Sequence, residues 1–258
     1  MNRGKITIIA CSLWFSFVLC LLTGCQPQQE KTLKLMSYNI RNGIGLDEVV
    51  DYQRVAAVIA KESPMVVALQ EVDSVTGRSK GVDVLALLAQ ETQMYPTYAA
   101  AIPFDGGKYG VGILSKEKPL SVRRLALPGR EEARVFLLAE FDDYLFACTH
   151  LSLTTEDRMA SLPLIREVAQ AADKPFFMAG DWNDDPQSSF IQDVMCDFVL
   201  LTDTTECTFP ADKPDCCIDY IAGYTTKNAS FGKDTSYVCQ EPLASDHRPI
   251  VSVVHIKH

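Results

Sequence analysis

The sequence has no Cys-x-x-Cys pair, no Lys- or Arg-rich run, no internal repeat and no low-complexity linker. The first absence removes the usual spacing of a structural zinc site. The second bears on nucleic acid, where tight, sequence-indifferent binding is driven by Lys and Arg displacing counterions from phosphates. Basic side chains are also outnumbered, 24 against 33 acidic, for a net charge of −9. Long apolar runs are equally scarce. The one candidate, residues 6–22, is 17 residues long, short of the roughly 20 that a spanning helix needs. A polytopic membrane protein is thereby excluded. What is present is ordinary globular composition, 47% hydrophobic and 22% charged with 14 Gly and 13 Pro, which excludes a disordered or collagen-like chain. The 258 residues suit one large domain or two small ones, with a core that needs no staples.

The start of the chain reads as an address. Arg3 and Lys5 precede the apolar run, and Thr23-Gly24-Cys25 follows it, the arrangement of a secretory signal. Leu22-Thr23-Gly24-Cys25 resembles a bacterial lipobox, which implies removal of residues 1–24 and lipidation of Cys25. An uncleaved signal anchor is the other reading. Residues 25–32 then form a polar tether, and 33–258 the folded domain. The expected product is an exported monomer, lipid-anchored to the bacterial cell envelope and facing the periplasm or the outer surface. With Arg3 and Lys5 gone it carries 22 basic and 33 acidic residues, a net of −11. Cys11 and Cys20 leave with the signal. Of the six remaining, Cys148 lies in an apolar strand-like run, as a buried free thiol would. Cys207, Cys216, Cys217 and Cys239 lie in loop-rich sequence, where an exported protein could form one or two disulfides.

Hydrophobic patterning predicts strands over 33–40, 65–69, 111–114, 121–126, 134–141, 144–149, 176–179, 218–222 and 250–254. Helices are predicted over 51–62, stopped by Ser63-Pro64, over 83–93, and over 155–172, where Pro163 should lie near the first turns or kink the helix. Clustered strands with helices between some of them imply an α/β or α+β sandwich.

Nearly every apolar strand runs into chemically capable residues. The strand ends carry Asn39, Gln70-Glu71, Thr149-His150 and Asp181-Trp182-Asn183, and Ser245-Asp246-His247 precedes the last strand. Strands buried on both faces normally avoid carboxylates, so their collection at one edge suggests a site on a rigid scaffold. Carboxylate and amide oxygens suit a hard divalent ion, Mg²⁺ first, with Mn²⁺ or Ca²⁺ as alternatives. The two histidines serve as phosphate donors or general acid/base groups. Together they fit metal-assisted phosphate-ester hydrolysis.

In order, Ser37-Tyr38-Asn39-Ile40, Leu69-Gln70-Glu71-Val72, Tyr109-Gly110-x-x-Ile113-Leu114-Ser115, Thr149-His150-Leu151, Gly180-Asp181-Trp182-Asn183, Ile218-Asp219-Tyr220-Ile221 and Ser245-Asp246-His247-Arg248-Pro249 resemble the endonuclease/exonuclease/phosphatase superfamily over roughly residues 33–256. The resemblance implies a DNase I-like four-layer sandwich, two mixed β-sheets flanked by helices. It also points to a branch of small exported hydrolases. By the same resemblance Glu71, Asn39 and Asp246 are metal ligands. Asp181 holds and polarises the attacking water, and Asn183 orients Asp181 or the phosphate. His247, held in tautomer by Asp219, contacts the scissile phosphate, and His150 donates to the phosphoryl oxygens. Tyr109 and Arg134 touch substrate phosphate, with Arg130 the rival for the second position.

Two residues depart from that pattern. Val111 replaces a polar partner for the His150 position. Arg41 stands where some nucleases carry an acidic second metal ligand, which favours one metal and makes Arg41 a candidate phosphate contact. The expected activity is hydrolysis of a phosphodiester, lipid-borne or small. A nuclease or phosphomonoesterase is the alternative on the same site, and a non-catalytic phospholipid-headgroup binder the alternative of another class. Trp182 is expected either as a buried turn aromatic or as a cover over the leaving group.

Overall fold

The structure, a computed structural model, describes Met1, residues 30–226 and residues 230–257. The proposed leader and Cys25 lie outside the described residues. Sixteen regular elements follow in chain order: β1 (Glu30–Asn39), α1 (Tyr52–Glu62), β2 (Val66–Ser74), α2 (Val84–Thr92), β3 (Tyr95–Phe104), β4 (Gly107–Ser115), β5 (Ser121–Leu127), β6 (Arg134–Glu140), β7 (Leu145–His150), α3 (Thr155–Gln170), β8 (Phe176–Asp181), α4 (Ser189–Val194), β9 (Val199–Leu200), β10 (Asp219–Tyr224), β11 (Ser230–Val238) and β12 (Ile250–Lys257).

The strands form two six-stranded sheets, ordered β11-β12-β1-β2-β4-β3 and β5-β6-β7-β8-β10-β9. The pairs β1/β2 and β7/β8 are parallel, and the remaining pairs are antiparallel, so both sheets are mixed. Alternation along each central strand sends one set of side chains between the sheets and the other set under helices. Leu33 and Leu35 of β1 meet Leu137, Phe146, Phe177 and Ile221 of the second sheet in the central core. Met36 and Tyr38, on the opposite face of β1, lie under Val55 and Ile59 of α1 and Leu85 and Leu88 of α2. Phe136, Phe176 and Met178 lie under Leu162 and Ile165 of α3 and Phe190 and Ile191 of α4. These are the four layers the resemblance implies. Each fully buried Leu or Phe stabilises them by about 1.5–3 kcal/mol.

Local signals set the helix ends. The Asp51 carboxylate accepts from Arg54 N, and Asp83 from Ala86 N, satisfying otherwise orphaned first-turn donors. Ser63 closes α1 in a left-handed conformation (φ 49°) ahead of Pro64. Pro163 sits in mid-helix of α3 rather than in its first turns, and it removes one intrahelical bond there.

Strand β1 begins at Glu30, inside the predicted tether, and Glu30–Thr32 pairs with β12. Lys31 anchors this stretch, reaching Glu117 at 2.8 Å and Asp143 at 3.0 Å. The patterning missed β3, β9 and β11, all three of them sheet-edge strands. Pro96 and Pro103 lie within β3, which only an edge tolerates. The six thiols among the described residues are free in this structure. Cys148, Cys239 and Cys217 are divided among three separate clusters. Among the described residues no helix is long and apolar enough to cross a membrane.

Candidate active site

Three adjacent strands carry the centre of the site. In the parallel β7/β8 pair His150 lies beside Asp181, and in the antiparallel β8/β10 pair Asp181 lies beside Asp219. Residues opposite one another in a sheet point to the same side, so register alone aligns imidazole, carboxylate and carboxylate. Gly180 allows this. A Cβ there would strike the Thr149 carbonyl of the neighbouring strand.

The first sheet contributes by a different device. Between Leu69/Gly112 and Val72/Gly110 the β2/β4 register slips, so Gln70 and Glu71 together oppose Val111. This is a β-bulge, which re-aims a side chain. Glu71 adopts φ 59° at the bulge, a left-handed conformation costly for a non-glycine residue. Arg41, Asn42 and Asn183, also beside the site, have φ of 44°, 44° and 53°. Local backbone strain therefore concentrates around these carboxylates.

Asn39, at the end of β1, joins the two sheets. Its Nδ2 donates to Glu71 Oε1 at 3.0 Å and to Asp181 Oδ2 at 3.1 Å. Its Oδ1 accepts from Arg41 N. The Ser245 hydroxyl donates to the Asn39 carbonyl and lies 3.3 Å from Asp246 Oδ1, tying the last loop to the same point. Asn183 N donates to Asp181 Oδ1 at 3.0 Å, and Asn183 Nδ2 is held by the Leu151 carbonyl.

The histidines approach from two sides. His150 Nε2 lies 3.5 Å and His247 Nε2 3.7 Å from Asp181 Oδ2. His247 Nδ1 meets Asp219 Oδ2 at 2.8 Å. The Thr208 hydroxyl donates to the same oxygen, and the Phe209 ring packs 4.8 Å from the His247 ring. Burial pulls the His150 pKa down to about 4, against the pull of Asp181. Burial also acts downward on His247, but Asp219, Asp181 and Asp246 override it and push the pKa up to about 10. One ring is thus held neutral and the other cationic. Glu71 is shifted upward by burial and by the nearby Asp246 and Asp181 carboxylates.

A small half-open pocket lies beside His150, lined by Tyr109, Val111, Glu132 and Arg134 among others. Arg134 is the arginine that lines it. Its side chain is 6% exposed, with Glu132 and Glu131 on its two terminal nitrogens, whereas Arg130 is 60% exposed and paired with Asp157. Val111 is buried in the central core and offers His150 no hydrogen bond. Arg41 bonds Glu48 and lies 3.6 Å from Asp246 Oδ2. Trp182 is fully buried, stacked 4.9 Å from Tyr220, and so is the packing aromatic.

The predicted set therefore gathers in one place: Asn39, Glu71, His150, Asp181, Asn183, Asp219, Asp246 and His247, with Arg41, Tyr109 and Arg134 at its margin. The sequence reading missed Thr208 and Phe209, which lie in a loop with no periodicity. It also missed Ser245 as a positioning group, although Ser245 stands inside a quoted motif.

The donor set fits a hard divalent ion. Several carboxylates are crowded together, burial and that crowding push the Glu71 pKa up, and among the described residues the buried Asp219 Oδ1 has no hydrogen-bond partner. Asp181, Asp219 and His247 offer ligand atoms within 4.8 Å of one another, a possible metal site. Asp219 Oδ2, however, is already engaged by Thr208 and His247.

The endonuclease/exonuclease/phosphatase family matches residues 36–253. No curated protein matches the chain. Among solved structures, an endonuclease/exonuclease/phosphatase from Bacteroides vulgatus superposes with a TM-score of 0.71 at 18% identity, covering 87% of this chain and 98% of that one. A Bacteroides thetaiotaomicron mannosyl-6-phosphatase gives 0.67 at 16%, covering 87% and 99%. D. rerio TDP2 complexed with single-strand DNA product gives 0.68 at 19%, covering 86% and 98%. At these identities the superpositions speak for the fold, while the family match extends over most of the chain. Taken with the ordered strand-end residues, it places this protein in the endonuclease/exonuclease/phosphatase family.

Proposed function

We propose that this protein is a divalent-metal-dependent phosphoesterase that hydrolyses a small or lipid-borne phosphodiester. The observation that carries the reading is the bridging of Glu71 and Asp181 by one Asn39 amide, with two imidazoles within 4 Å of Asp181. Glu71 and Asp246, with Asn39 beside them, would hold the ion, while Asp219 Oδ2 serves His247 and Thr208. Mg²⁺, or Mn²⁺ or Ca²⁺ in its place, supplies Lewis-acid charge at a phosphoryl oxygen when bound.

The chain's own groups do the rest. Asp181, fixed by the Asn183 N–H, accepts a proton from the attacking water as the new P–O bond forms and the bond to the leaving alcohol breaks. Asp219 holds the proton on His247 Nδ1, leaving Nε2 directed at the phosphate. His150, fixed on β7, donates to the phosphoryl oxygens as their charge grows.

The preference for a small or lipid-borne substrate rests on charge and on the chain's start. Arg41 and Arg134 at the site margin, and Arg78 over the Tyr109 ring, are each paired with a carboxylate, which leaves little free cationic surface for a polynucleotide. The lipobox-like Leu22-Thr23-Gly24-Cys25 supports export and anchoring beside lipid.

The test is a panel of duplex and single-stranded DNA, RNA, sphingomyelin, phosphatidylinositol and inositol phosphates, each with Mg²⁺ and with chelator. Turnover should need the ion and favour the small or lipid diesters. It should fall by more than about 100-fold in Glu71→Ala and His247→Ala, since loss of an outer partner alone costs 10–100-fold at such sites. Rates unchanged in both variants would defeat the phosphoesterase reading. Preference for DNA would defeat the substrate assignment, and headgroup binding without turnover under any of the three ions would point to the binding-protein alternative.

A further inference from the structure

Three cysteines lie in the segment behind the Asp219–His247 corner. The backbone N–H groups of Thr208 and Phe209 both donate to the Cys216 carbonyl, at 2.9 and 3.1 Å, and Cys216 N donates back to the Phe209 carbonyl at 2.8 Å. Two consecutive donors on one acceptor mark a β-bulge, in which the bulged strand gains one residue. Phe209 is the partner of Cys216. The extra residue is Thr208, so Cys207 falls opposite Cys217.

Continued past the bulge from the isolated Phe209–Cys216 bridge, this register makes Cys207 and Cys217 a non-hydrogen-bonded antiparallel pair. Such pairs bring Cα atoms to about 4.5 Å, within the roughly 4.4–6.8 Å that a disulfide spans. Both side chains face the same way. Cys217 belongs to the cluster beneath α3 and α4, and Cys207 packs against that cluster. Other partners are poorly placed. Cys216 is exposed, with Sγ turned to Asp215 at 3.3 Å. Cys148 and Cys239 are buried in the other two clusters.

We propose that Cys207 and Cys217 form a disulfide under oxidising conditions, stapling the segment that carries Thr208 and Phe209 against Asp219 and His247. Both thiols are free in this structure, so the bond requires an oxidant, here a small disulfide such as oxidised glutathione. The partly exposed Cys207 attacks it as thiolate and releases one glutathione thiol. The Cys217 thiolate then attacks Cys207 Sγ in the mixed disulfide and releases the second. The two cysteines thereby lose two protons and two electrons, which the oxidant takes up.

The staple closes a short loop. From within that loop the Thr208 carbonyl accepts from Arg248 N and Ala211 N donates to the Asp246 carbonyl, so the restraint reaches both sides of His247. The inference stands apart from the proposed activity, because its readouts are a covalent bond and a melting temperature.

The full chain is equilibrated in glutathione buffers of graded oxidising power, alkylated, and digested without reductant for mass spectrometry. In parallel, melting is followed with and without dithiothreitol. The expected product is a Cys207–Cys217 crosslinked peptide, with the melting temperature of the oxidised protein higher by roughly 5 °C. That increment should vanish in Cys207→Ser, whose partly exposed position tolerates the change, and in Cys217→Ala. A dominant Cys207–Cys216 crosslink would overturn the proposal. So would recovery of both Cys207 and Cys217 alkylated from folded protein in the most oxidising buffer.

Discussion

One amide group, that of Asn39, donates to two carboxylates that come from different sheets. It thereby keeps Glu71 and Asp181 close while their charges repel, and an ion bound between such groups would relieve that repulsion. Glu71 carries a second cost in its left-handed backbone, φ 59°. Glu71→Gly should therefore separate stability from activity. Removing the side chain eases about 1 kcal/mol of backbone strain and lifts one buried negative charge. The metal-free protein should melt a few degrees higher, while phosphodiester turnover falls by more than about 100-fold. Calorimetry and an assay on the same preparation check both halves. Glu131, paired with Arg134, behaves oppositely. Burial alone would raise its carboxyl, but Ser152, the Leu153 N–H and Arg134 override burial and hold it at about 2 against an ordinary 4.5. The stability it adds is complete above 4.5 and fades as pH falls toward 2. Urea midpoints at pH 6 and pH 3 should differ less in Glu131→Gln than in the parent. The acidic and imidazole groups of the site were legible because each stands in or beside an apolar strand, at a position where a buried strand normally avoids charge. Thr208, Phe209 and Ser245 were not, since a hydroxyl or ring in a loop becomes functional only through the neighbour the fold supplies.

Strand pairing turns those separate residues into a site. The line His150, Asp181, Asp219 follows from register across β7, β8 and β10, and a one-residue slip would turn Asp181 to the other face. Gly180 protects that register because the Thr149 carbonyl occupies the space a Cβ would take. Gly180→Ala should destabilise the fold by about 1–3 kcal/mol and displace Asp181, and thermal melting together with activity would register both effects. A variant that melts and turns over like the parent would show that the sheet absorbs the methyl group. The central strands and the three longer helices were readable from periodicity and caps, because burial on one or both faces imposes a pattern. The edge strands β3 and β11 were not readable. They are largely exposed, β3 carries two prolines, and β11 is interrupted by a bulge between Lys233 and Thr235. An edge needs pairing from one side only, so its composition is free to drift. The bulge at Glu71 was equally silent in the sequence, since it arises from the mismatch between β2 and β4.

At the scale of the whole molecule the site lies where both sheets meet, so whatever binds there couples them. A divalent cation that binds the native state alone adds about 2.7 kcal/mol at a hundred times its dissociation constant. The melting temperature should therefore rise with Mg²⁺ concentration and fall back with chelator. Asp246→Asn should blunt the rise, and a parent melt unaffected by Mg²⁺, Mn²⁺ or Ca²⁺ would remove the metal from the mechanism. The sequence by itself determined the layered architecture, because strands buried under helices must be apolar on the faces they bury. It also determined the family and the kinds of side chain available for chemistry, because polar groups at the ends of such strands stand out against that background. Tertiary structure alone decided which of them share an oxygen, which ring is held neutral and which charged, and which cysteines face each other. Those outcomes depend on separations of a few ångströms between residues distant in sequence, and on burial that acts only once both sheets have closed on each other.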